Sequence, residues 1–388
     1  MTELTGAPTP FTQQIKSASG SDAYWMDLND LQVAVIVNDY MAELDTGRNG
    51  VALLDTSLLQ KLRISGPDAG RLLDYVCVRK VSDLPRGRVA YLALVTDEGM
   101  IRDDATAFRL QDGSYLVVSG SNLLDHVSRY QGDFDVAIED VSAAWCTLSV
   151  YGPKSYSLLR AAGIEGLESL KAFHFLEAEI ENIRFYISRT GFSGGLGYEL
   201  WIPWSGGETI CKHLLESEQG STARFVGVAS IDILRIESGY LLPGHDFPLP
   251  GVGDDVESDR YRSPFDVGLD WLVDFDREDF VGKKSLLKEK ETGSRYELFA
   301  VELQVETELD IETLAGTRIR SVDGDEIGEI FAGGYSLMLG KYVGLCNVRR
   351  GTATDATRVI AGDDKWPAVL KRSPLYVSEI RTQTPPPS

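Results

Sequence analysis

A glycine-rich turn between two strand-like runs constrains this chain more than any other feature. Gly191, Gly194, Gly195 and Gly197 all lie within the segment 188–203, SRTGFSGGLGYELWIP. Glycine clusters between two strand patterns mark places where the backbone turns tightly or passes close to another group. The simplest interpretation is therefore a hairpin with a wide glycine turn.

Glu199 suggests a more specific role for this turn. It follows the last glycine by two residues and lies inside an otherwise apolar strand pattern, YELWIP. A carboxylate is costly to bury there unless a donor pairs with it, and the neighbouring N–H groups of a flat heterocycle could do so. The glycine spacing fits neither a dinucleotide fingerprint nor a phosphate-binding loop, because it lacks G-x-G-x-x-G and leads into a strand.

A pair of aspartates, Asp103 and Asp104, lies within the clearest β pattern of the chain, residues 88–120. Side chains alternate between the two faces of a strand, so one carboxylate can point inward while the other is solvated. An inward carboxylate beside apolar neighbours is a candidate for acid–base or charge-stabilising work. An exposed strand end carrying both carboxylates is equally compatible with the local sequence.

The loop after a predicted helix is the third candidate region. The helical pattern FVGVASIDILRIESG ends at Gly239, and Tyr240, His245 and Asp246 follow in an irregular stretch. Such loops commonly supply site residues.

Composition excludes several classes of function. The formal net charge of −21 argues against nucleic-acid binding, which needs a basic surface. No apolar run is long enough for a membrane span. The four cysteines and four histidines are scattered without metal-ligand spacing, so no metal site is expected. The first residues lack the layout of a signal peptide, which predicts a cytoplasmic protein.

Repeated strand–Gly-Pro–helix patterns organise the first part of the chain. LRISGPDAGRLLDYV and WCTLSVYGPKSYSLLRAAG share this pattern, which indicates a duplicated α+β core. Short strands near the C-terminus predict a small barrel or sandwich. The predicted divisions are a loose N-terminal arm over 1–20, the core over 21–290, a β domain over 291–380 and a disordered tail over 381–388.

Several segments, in order, resemble the folate-dependent aminomethyltransferase superfamily, whose type member is the T-protein of the glycine cleavage system. The resemblance covers about Val51 to Val348. The matching segments are LDTSLLQKLRISGPDA, EGMIRDDATAF, LSVYGPKSYSLL, SRTGFSGGLGYELWIP, LRIESGYLLPGHD, SPFDVGLDWLVDFDREDFVGKKSL and DEIGEIFAGGYSLMLGKYVGLCNV.

The resemblance implies an α+β fold of three parts around a central folate channel, with a C-terminal β-barrel. It implies tetrahydrofolate as the one-carbon acceptor. By matching motifs, Asp104 falls where the family has its essential aspartate near the reactive folate nitrogens. Glu199 falls where a glutamate grips the pterin ring, and Gly197 and Tyr198 belong to the same cofactor-binding motif. Tyr91 matches a tyrosine that lines the channel.

Three departures from T-proteins favour a different branch of the superfamily. Ile231 stands where T-proteins carry an arginine, Gly195 stands where they carry a carboxylate, and 243–246 reads Pro-Gly-His-Asp. These changes predict a demethylase that moves a methyl group from a small O-methyl or S-methyl donor to N5 of tetrahydrofolate. Tyr240 and His245 are then candidates to protonate the leaving group, beside Asp104. The iron–sulfur-repair branch is excluded, because its KGCYxGQE motif is absent.

Two alternatives stay open from the sequence. An aminomethyltransferase-type enzyme would instead form 5,10-methylenetetrahydrofolate, and as a T-protein it would take a lipoyl carrier protein as its partner. A non-catalytic folate-binding protein would keep the fold without turnover, since fold alone does not establish activity.

Overall fold

The computed structural model describes residues 4–252, 258–305, 309, 314–363 and 366–386. Within these residues, no helix is long and apolar enough to cross a membrane. The same residues contain no group of three or more His, Cys, Asp or Glu side chains that could hold a metal ion.

Helices and strands alternate irregularly along the chain. The helices α1–α8 span Thr12–Ala18, Tyr40–Asn49, Ala69–Val76, Leu124–Arg129, Ser155–Ala161, Gly207–Glu216, Val228–Glu237 and Lys283–Thr292. The strands β1–β19 span Tyr24–Leu28, Leu31–Ile36, Val51–Asp55, Gln60–Ser65, Val89–Val95, Ile101–Arg109, Tyr115–Ser119, Ala137–Asp140, Trp145–Tyr151, Phe175–Ile180, Ile183–Ser188, Gly197–Pro203, Ala223–Phe225, Tyr296–Leu303, Arg318–Ser321, Glu326–Ser336, Lys341–Arg349, Arg358–Ala361 and Trp366–Lys371.

Two sheets form the first part of the molecule. Sheet 1 has six strands in the order β10-β11-β12-β9-β3-β13, and sheet 2 has five in the order β5-β6-β7-β4-β8. Their strands pair antiparallel except β13, which runs parallel to β3. The remaining hairpin, β1-β2, covers part of the N-terminal region.

The strand–Gly-Pro–helix unit occurs twice, at β4–α3 in sheet 2 and at β9–α5 in sheet 1. Its glycines, Gly66 and Gly152, have φ angles of 115° and 107°, which residues with a side chain rarely adopt. A Cβ atom at Gly66 would lie 2.5 Å from the carbonyl oxygen of Asp135, and one at Gly152 would lie 2.5 Å from that of Gly50. The repeated turn therefore needs glycine in both halves.

The two sheets pack face to face through aromatic side chains. The ring of Phe108 on β6 lies 5.0 Å from that of Trp201 on β12 and 5.4 Å from that of Phe175 on β10, centroid to centroid. Side chains two residues apart share one face of a strand. Asp104 shares the face of Phe108, and Glu199 shares the face of Trp201. Both carboxylates therefore point into the space between the sheets.

The C-terminal part is a closed barrel with the strand order β14-β17-β16-β15-β18-β19. Its interior is filled by fully buried side chains such as Phe299, Val301, Ile330 and Val348. Closure removes the exposed strand edges that a small open sheet would leave. The predicted α+β fold class with a C-terminal β-barrel is confirmed, and the domain boundaries at 20, 290 and 380 stay predictions.

The N-terminal segment is more ordered than the loose arm that the sequence predicts. Residues 1–3 lie outside the described residues, but Phe11, just before α1, and Ile15 within it pack into the core at 0% and 2% exposure. Its polar and proline-rich composition conceals these two apolar anchors. Burial of each stabilises the segment by about 2 kcal/mol.

The tail also departs from the predicted disorder in its described part, residues 381–386. Arg189, 3% exposed, donates hydrogen bonds to the carbonyl oxygens of Ile380, Arg381 and Gln383 and to the hydroxyl of Thr384. A buried guanidinium needs acceptors for its N–H groups, and the backbone of this segment supplies them.

Candidate functional site

A tyrosine–aspartate pair lies on the inner face of sheet 2. The hydroxyl of Tyr91 on β5 donates a 2.6 Å hydrogen bond to Oδ2 of Asp104 on β6. The ring of Trp271 stacks on that of Tyr91, with the centroids 6.4 Å apart and the planes at 28°. Burial raises the pKa of the Tyr91 phenol well above its usual value, so it acts as a donor to the carboxyl group.

The neighbouring aspartate has a different environment. Asp103 is 1% exposed, and its carboxylate accepts hydrogen bonds from the backbone N–H and hydroxyl of Ser121 and from the backbone N–H of Asp104. The two donors from Ser121 tie β6 to the loop after β7. Asp103 is therefore a structural carboxylate, and Asp104 is the one that faces the space between the sheets.

Asp104 is poised to exchange a proton near neutral pH. Burial raises the pKa of its carboxyl group to about 8, and repulsion from Asp103 acts in the same direction. The hydrogen bond from Tyr91 opposes this shift, and the negative charge of Asp246 adds to it. A carboxyl group with such a pKa can both give and take a proton at physiological pH.

A buried ion pair anchors the loop after α7. Arg235 and Asp246, whose side chains are both 0% exposed, form a bidentate pair with N···O distances of 2.6 and 2.7 Å. His245 lies beside this pair, with its Nδ1 3.4 Å from Asp246 and its side chain 54% exposed. A hydrogen bond with Asp246 raises the pKa of His245. The loop places this imidazole at its surface, next to the ion pair.

Tyr240 has the opposite environment. Its hydroxyl is buried and has no hydrogen-bond partner among the described residues. Its ring stacks on Phe192 of the glycine turn at 6.0 Å, and the guanidinium of Arg381 lies 5.0 Å from the ring centroid. A buried hydroxyl without a partner is costly, so this group is suited to a ligand that provides one. Tyr240 also contributes to the raised pKa of Tyr91, so the two phenols lie in one neighbourhood.

Glu199 lies at the end of a hydrogen-bonded series on sheet 1. The indole N–H of Trp201 donates to the hydroxyl of Ser188 at 3.0 Å, and the hydroxyls of Ser188 and Thr190 lie 2.6 Å apart. Thr190 in turn donates to Oε2 of Glu199. This series orients the carboxylate and leaves its Oε1 without a partner among the described residues. Burial raises the pKa of Glu199, and the Thr190 hydrogen bond opposes the shift.

The other two residues of the glycine-turn motif do not join Glu199. Tyr198 is 0% exposed and lies on the opposite face of β12, in the apolar core with Phe185 and Leu148. Strand alternation turns it away from Glu199, and its assignment to the cofactor site stays a prediction. Gly197 shares the face of Glu199, but a Cβ there would lie 3.3 Å from the Cβ of Tyr151, so this glycine allows close strand packing.

A second buried ion pair, which the sequence did not reveal, supports the glycine turn. Arg48 of α2 donates to Glu237 of α7 through Nε at 3.0 Å and to the carbonyl oxygen of Ser193 at 3.0 Å. Glu237 also accepts a 2.6 Å hydrogen bond from Ser336 of the barrel. Three parts of the chain therefore meet at Glu237. Only its position in the LRIE helix could have singled it out.

This arrangement explains two of the departures from T-proteins. Ile231 packs against an apolar cluster that includes Leu234, and the guanidinium that reaches α7 comes from Arg48. A Cβ at Gly195 would lie 3.9 Å from Nη1 of Arg48, which already pairs with Glu237. The loss of a carboxylate at Gly195 therefore leaves no cation unpaired here.

Known protein families and relatives match most of this chain. Residues 16–277 match the family described as the GCVT N-terminal domain. An aminomethyltransferase of Desulforamulus reducens is 31% identical over 345 residues, which is 88% of this chain and 90% of that relative. An aminomethyltransferase of Thermotoga maritima is 26% identical over 373 residues, or 93% and 96% of the two chains.

A solved structure shows the same fold. The glycine cleavage system aminomethyltransferase T of Bartonella henselae superposes with a TM-score of 0.83 at 21% identity, covering 96% of this chain and 98% of that one.

These relatives overturn the demethylase assignment. The matched relatives are named aminomethyltransferase, and the match covers nearly their full length. The demethylase prediction relied on only three local departures. The demethylase and its small-molecule methyl donor were therefore wrong inferences. The chain belongs to the GCVT-domain family of aminomethyltransferases.

Proposed function

We propose that this protein is a folate-dependent aminomethyltransferase that forms 5,10-methylenetetrahydrofolate. One observation carries the proposal: the Asp104 carboxyl, bonded to Tyr91 at 2.6 Å, has its pKa raised to about 8 by burial and faces the inter-sheet space. The names of the relatives support the same class of reaction.

The residues around this space fit a reduced pterin. A pterin presents adjacent N–H groups at one edge, and Glu199 offers a carboxylate with one oxygen unpartnered among the described residues. The buried hydroxyl of Tyr240 also lacks a partner in the described chain. Aromatic rings from Trp271 and Phe192 flank the two phenols, as a flat ligand requires.

Tetrahydrofolate would supply two nucleophilic nitrogens, N5 and N10, as acceptor. In the balanced reaction an aminomethyl thioether gives its carbon to these nitrogens and releases ammonia and a free thiol. Asp104 would move the protons between the folate nitrogens and the leaving amine. Tyr91 would hold the carboxyl, and Glu199 would fix the ring. Positioning in a site that excludes water accounts for much of such catalysis.

A lipoyl carrier protein is the proposed partner, because a thioether-linked aminomethyl group of this kind needs a thiol carrier. The aminomethyl carbon must reach Asp104 from outside the two sheets.

Mass spectrometry of folate products tests the proposal. The purified protein is incubated with tetrahydrofolate and a lipoyl carrier protein loaded with an aminomethyl group. We expect 5,10-methylenetetrahydrofolate and ammonia in equal amounts. A carrier without the aminomethyl group and the Asp104→Asn variant are the controls, and both should yield only background product.

Two outcomes would overturn the proposal. Tetrahydrofolate binding without turnover of the loaded carrier would favour a non-catalytic folate-binding protein. Failure to bind tetrahydrofolate at all would remove folate from the assignment.

A further inference from the structure

A fully buried lysine lies on the same face of sheet 2 as Asp104. Lys61 on β4 is 0% exposed, and its ammonium group donates to the carbonyl oxygens of Ser57 and Leu59 at 2.9 and 2.8 Å. It forms no ion pair with any described residue. A buried cation held only by neutral carbonyls is costly, so its presence calls for a compensating role.

The strand register turns Lys61 and Glu199 toward the same inter-sheet space, because their face neighbours Val118 and Trp201 belong to one apolar cluster. Lys61 pairs with Val118 on sheet 2, and Glu199 pairs with Ser149 on sheet 1. The chain turns after β3 beside the register partner of Glu199, because the hydroxyl of Thr56 lies 3.2 Å from that of Ser149. The next residue of that corner, Ser57, accepts the Lys61 hydrogen bond through its carbonyl oxygen.

The other acidic groups that face Lys61 are already supplied with donors. Asp55 on β3 accepts hydrogen bonds from the Thr9 hydroxyl at 2.5 Å and the Ser57 backbone at 2.9 Å. Asp140 on β8 accepts from Ser142 and Gln60. Cys146 on β9 lies on the other face of sheet 1, in the apolar core with Leu148, and burial raises the pKa of its thiol to about 12, which keeps it neutral. Glu199 on β12 has one donor, Thr190.

We propose that Lys61 is a positioning residue whose charge keeps the Glu199 carboxylate ionised and ready to accept the ring N–H groups of a pterin. The pterin part of this inference rests on the proposed function. Lys61 does not touch the ligand, because its side chain is 0% exposed and its ammonium group donates to the carbonyl oxygens of Ser57 and Leu59. It acts through Glu199, whose partly buried carboxylate has less solvent to stabilise its charge.

The titration behaviour follows from the burial of both groups. Burial raises the pKa of Glu199, and the positive charge of Lys61 opposes that shift. Burial lowers the pKa of Lys61 to about 8, while Asp55, Cys146, Asp140 and Glu199 act to raise it. Above about pH 8 the lysine loses its proton, and its support for the Glu199 carboxylate ends.

Carbon-13 NMR of carboxyl-labelled glutamate tests this coupling without any ligand. The Glu199 resonance is assigned by its loss in Glu199→Gln and is titrated in the wild type and in Lys61→Met. We expect the Glu199 midpoint to move to higher pH in Lys61→Met. Arg63→Met is the matched control, since Arg63 lies on the same strand but pairs with Asp112 at the surface. An unchanged Glu199 midpoint in Lys61→Met would overturn the proposal.

A reciprocal measurement applies if Lys61→Met does not fold. Lysine labelled with nitrogen-15 is titrated in the wild type and in Glu199→Gln, which keeps the size of the side chain. The Lys61 midpoint should move to lower pH in Glu199→Gln, because a stabilising negative charge is lost. A Lys61 midpoint that is the same in both proteins would contradict the coupling.

A binding cycle then connects the pair to the ligand. Tetrahydrofolate dissociation constants are measured for the wild type, Lys61→Met, Glu199→Gln and the double variant. Lys61→Met should weaken binding about tenfold in the wild-type background and about twofold or less in the Glu199→Gln background. Equal losses in both backgrounds would show a merely structural role and overturn the proposal. If the wild type does not bind tetrahydrofolate, the proposed function fails, while the two NMR titrations still decide the role of Lys61.

Discussion

The space between the two sheets and the interior of the barrel are packed from different kinds of side chain. In the described barrel strands the fully buried polar residues are Ser336 and Asn347, and the rest of the interior is apolar. The space between the sheets holds the apolar contact of Phe108 with Trp201 and also the charged groups of Lys61 and Glu199. Apolar packing alone would hold both interiors together, so the buried charges make the space between the sheets the candidate site.

The largest expected effect concerns activity. Asp104→Asn keeps an acceptor for the Tyr91 hydroxyl but removes the exchangeable proton, so kcat should fall about 1,000-fold, equivalent to about 4 kcal/mol. Its melting temperature should stay the same or rise, because repulsion from Asp103 disappears. Steady-state kinetics and thermal denaturation check both.

The neighbouring substitution is the matched control for Asp104→Asn. Asp103→Asn leaves part of a three-donor network unsatisfied, so it should lower stability by about 1–3 kcal/mol. If the two variants lose stability equally, the distinction between a chemical and a structural aspartate is wrong.

A substitution in the barrel interior should lower stability and leave ligand binding nearly unchanged. Ile330→Ala removes a fully buried side chain and should lower the free energy of unfolding by about 3 kcal/mol. The dissociation constant for tetrahydrofolate, measured on folded protein, should change less than about twofold, because no polar site group is touched. A large loss of affinity would show that the barrel interior also shapes the site.

Variants of the two candidate acids in the loop after α7 should lose different amounts of activity, because one side chain is buried and the other is exposed. Tyr240→Phe should lower kcat/KM about tenfold, because its buried hydroxyl is available only to a ligand. His245→Gln should change it less than about threefold, since this side chain is 54% exposed and partnered by Asp246. The reverse order of losses would move the acid to the imidazole.

The smallest expected effect, counted per pH unit, is a pH dependence of the free energy of unfolding. Asp104 keeps its proton in the folded state up to about pH 8 but loses it near pH 4 when unfolded, so folding takes up a proton between these values. Asp104 therefore makes stability fall as the pH rises through this window, by at most about 1.4 kcal/mol per pH unit. Denaturant unfolding at several pH values should show a shallower slope for Asp104→Asn. Identical slopes would mean that Asp104 is ionised in the folded protein.

The sequence identified the carboxylates but not their surroundings. Asp104 and Glu199 could be singled out because the linear sequence alone shows a carboxylate inside an apolar strand pattern. Lys61 was missed, since a lysine in an alternating strand usually faces solvent. The motif could not show that Tyr198 and Glu199 lie on opposite faces, because it names neighbours in sequence, whereas strand alternation separates them.

The functional assignment failed for a similar reason. The absence of an arginine at Ile231 looked informative, yet Arg48 reaches the same helix and pairs with Glu237, 189 residues away along the chain. Contacts of that separation are set by the packing of whole elements. The barrel could be predicted, by contrast, because each of its short strands carries its own turn signals.

The anchoring of residues 380–384 by Arg189 has a consequence for biosynthesis. The guanidinium emerges from the ribosome long before four of its acceptors, which lie 191 to 195 residues downstream. Domains generally fold in N-terminal order during synthesis, so Arg189 has only the Leu170 carbonyl oxygen as an acceptor until residues 380–384 have been made. The contact of Arg381 with Tyr240 is therefore added late, and a nascent chain can form both sheets before this contact exists.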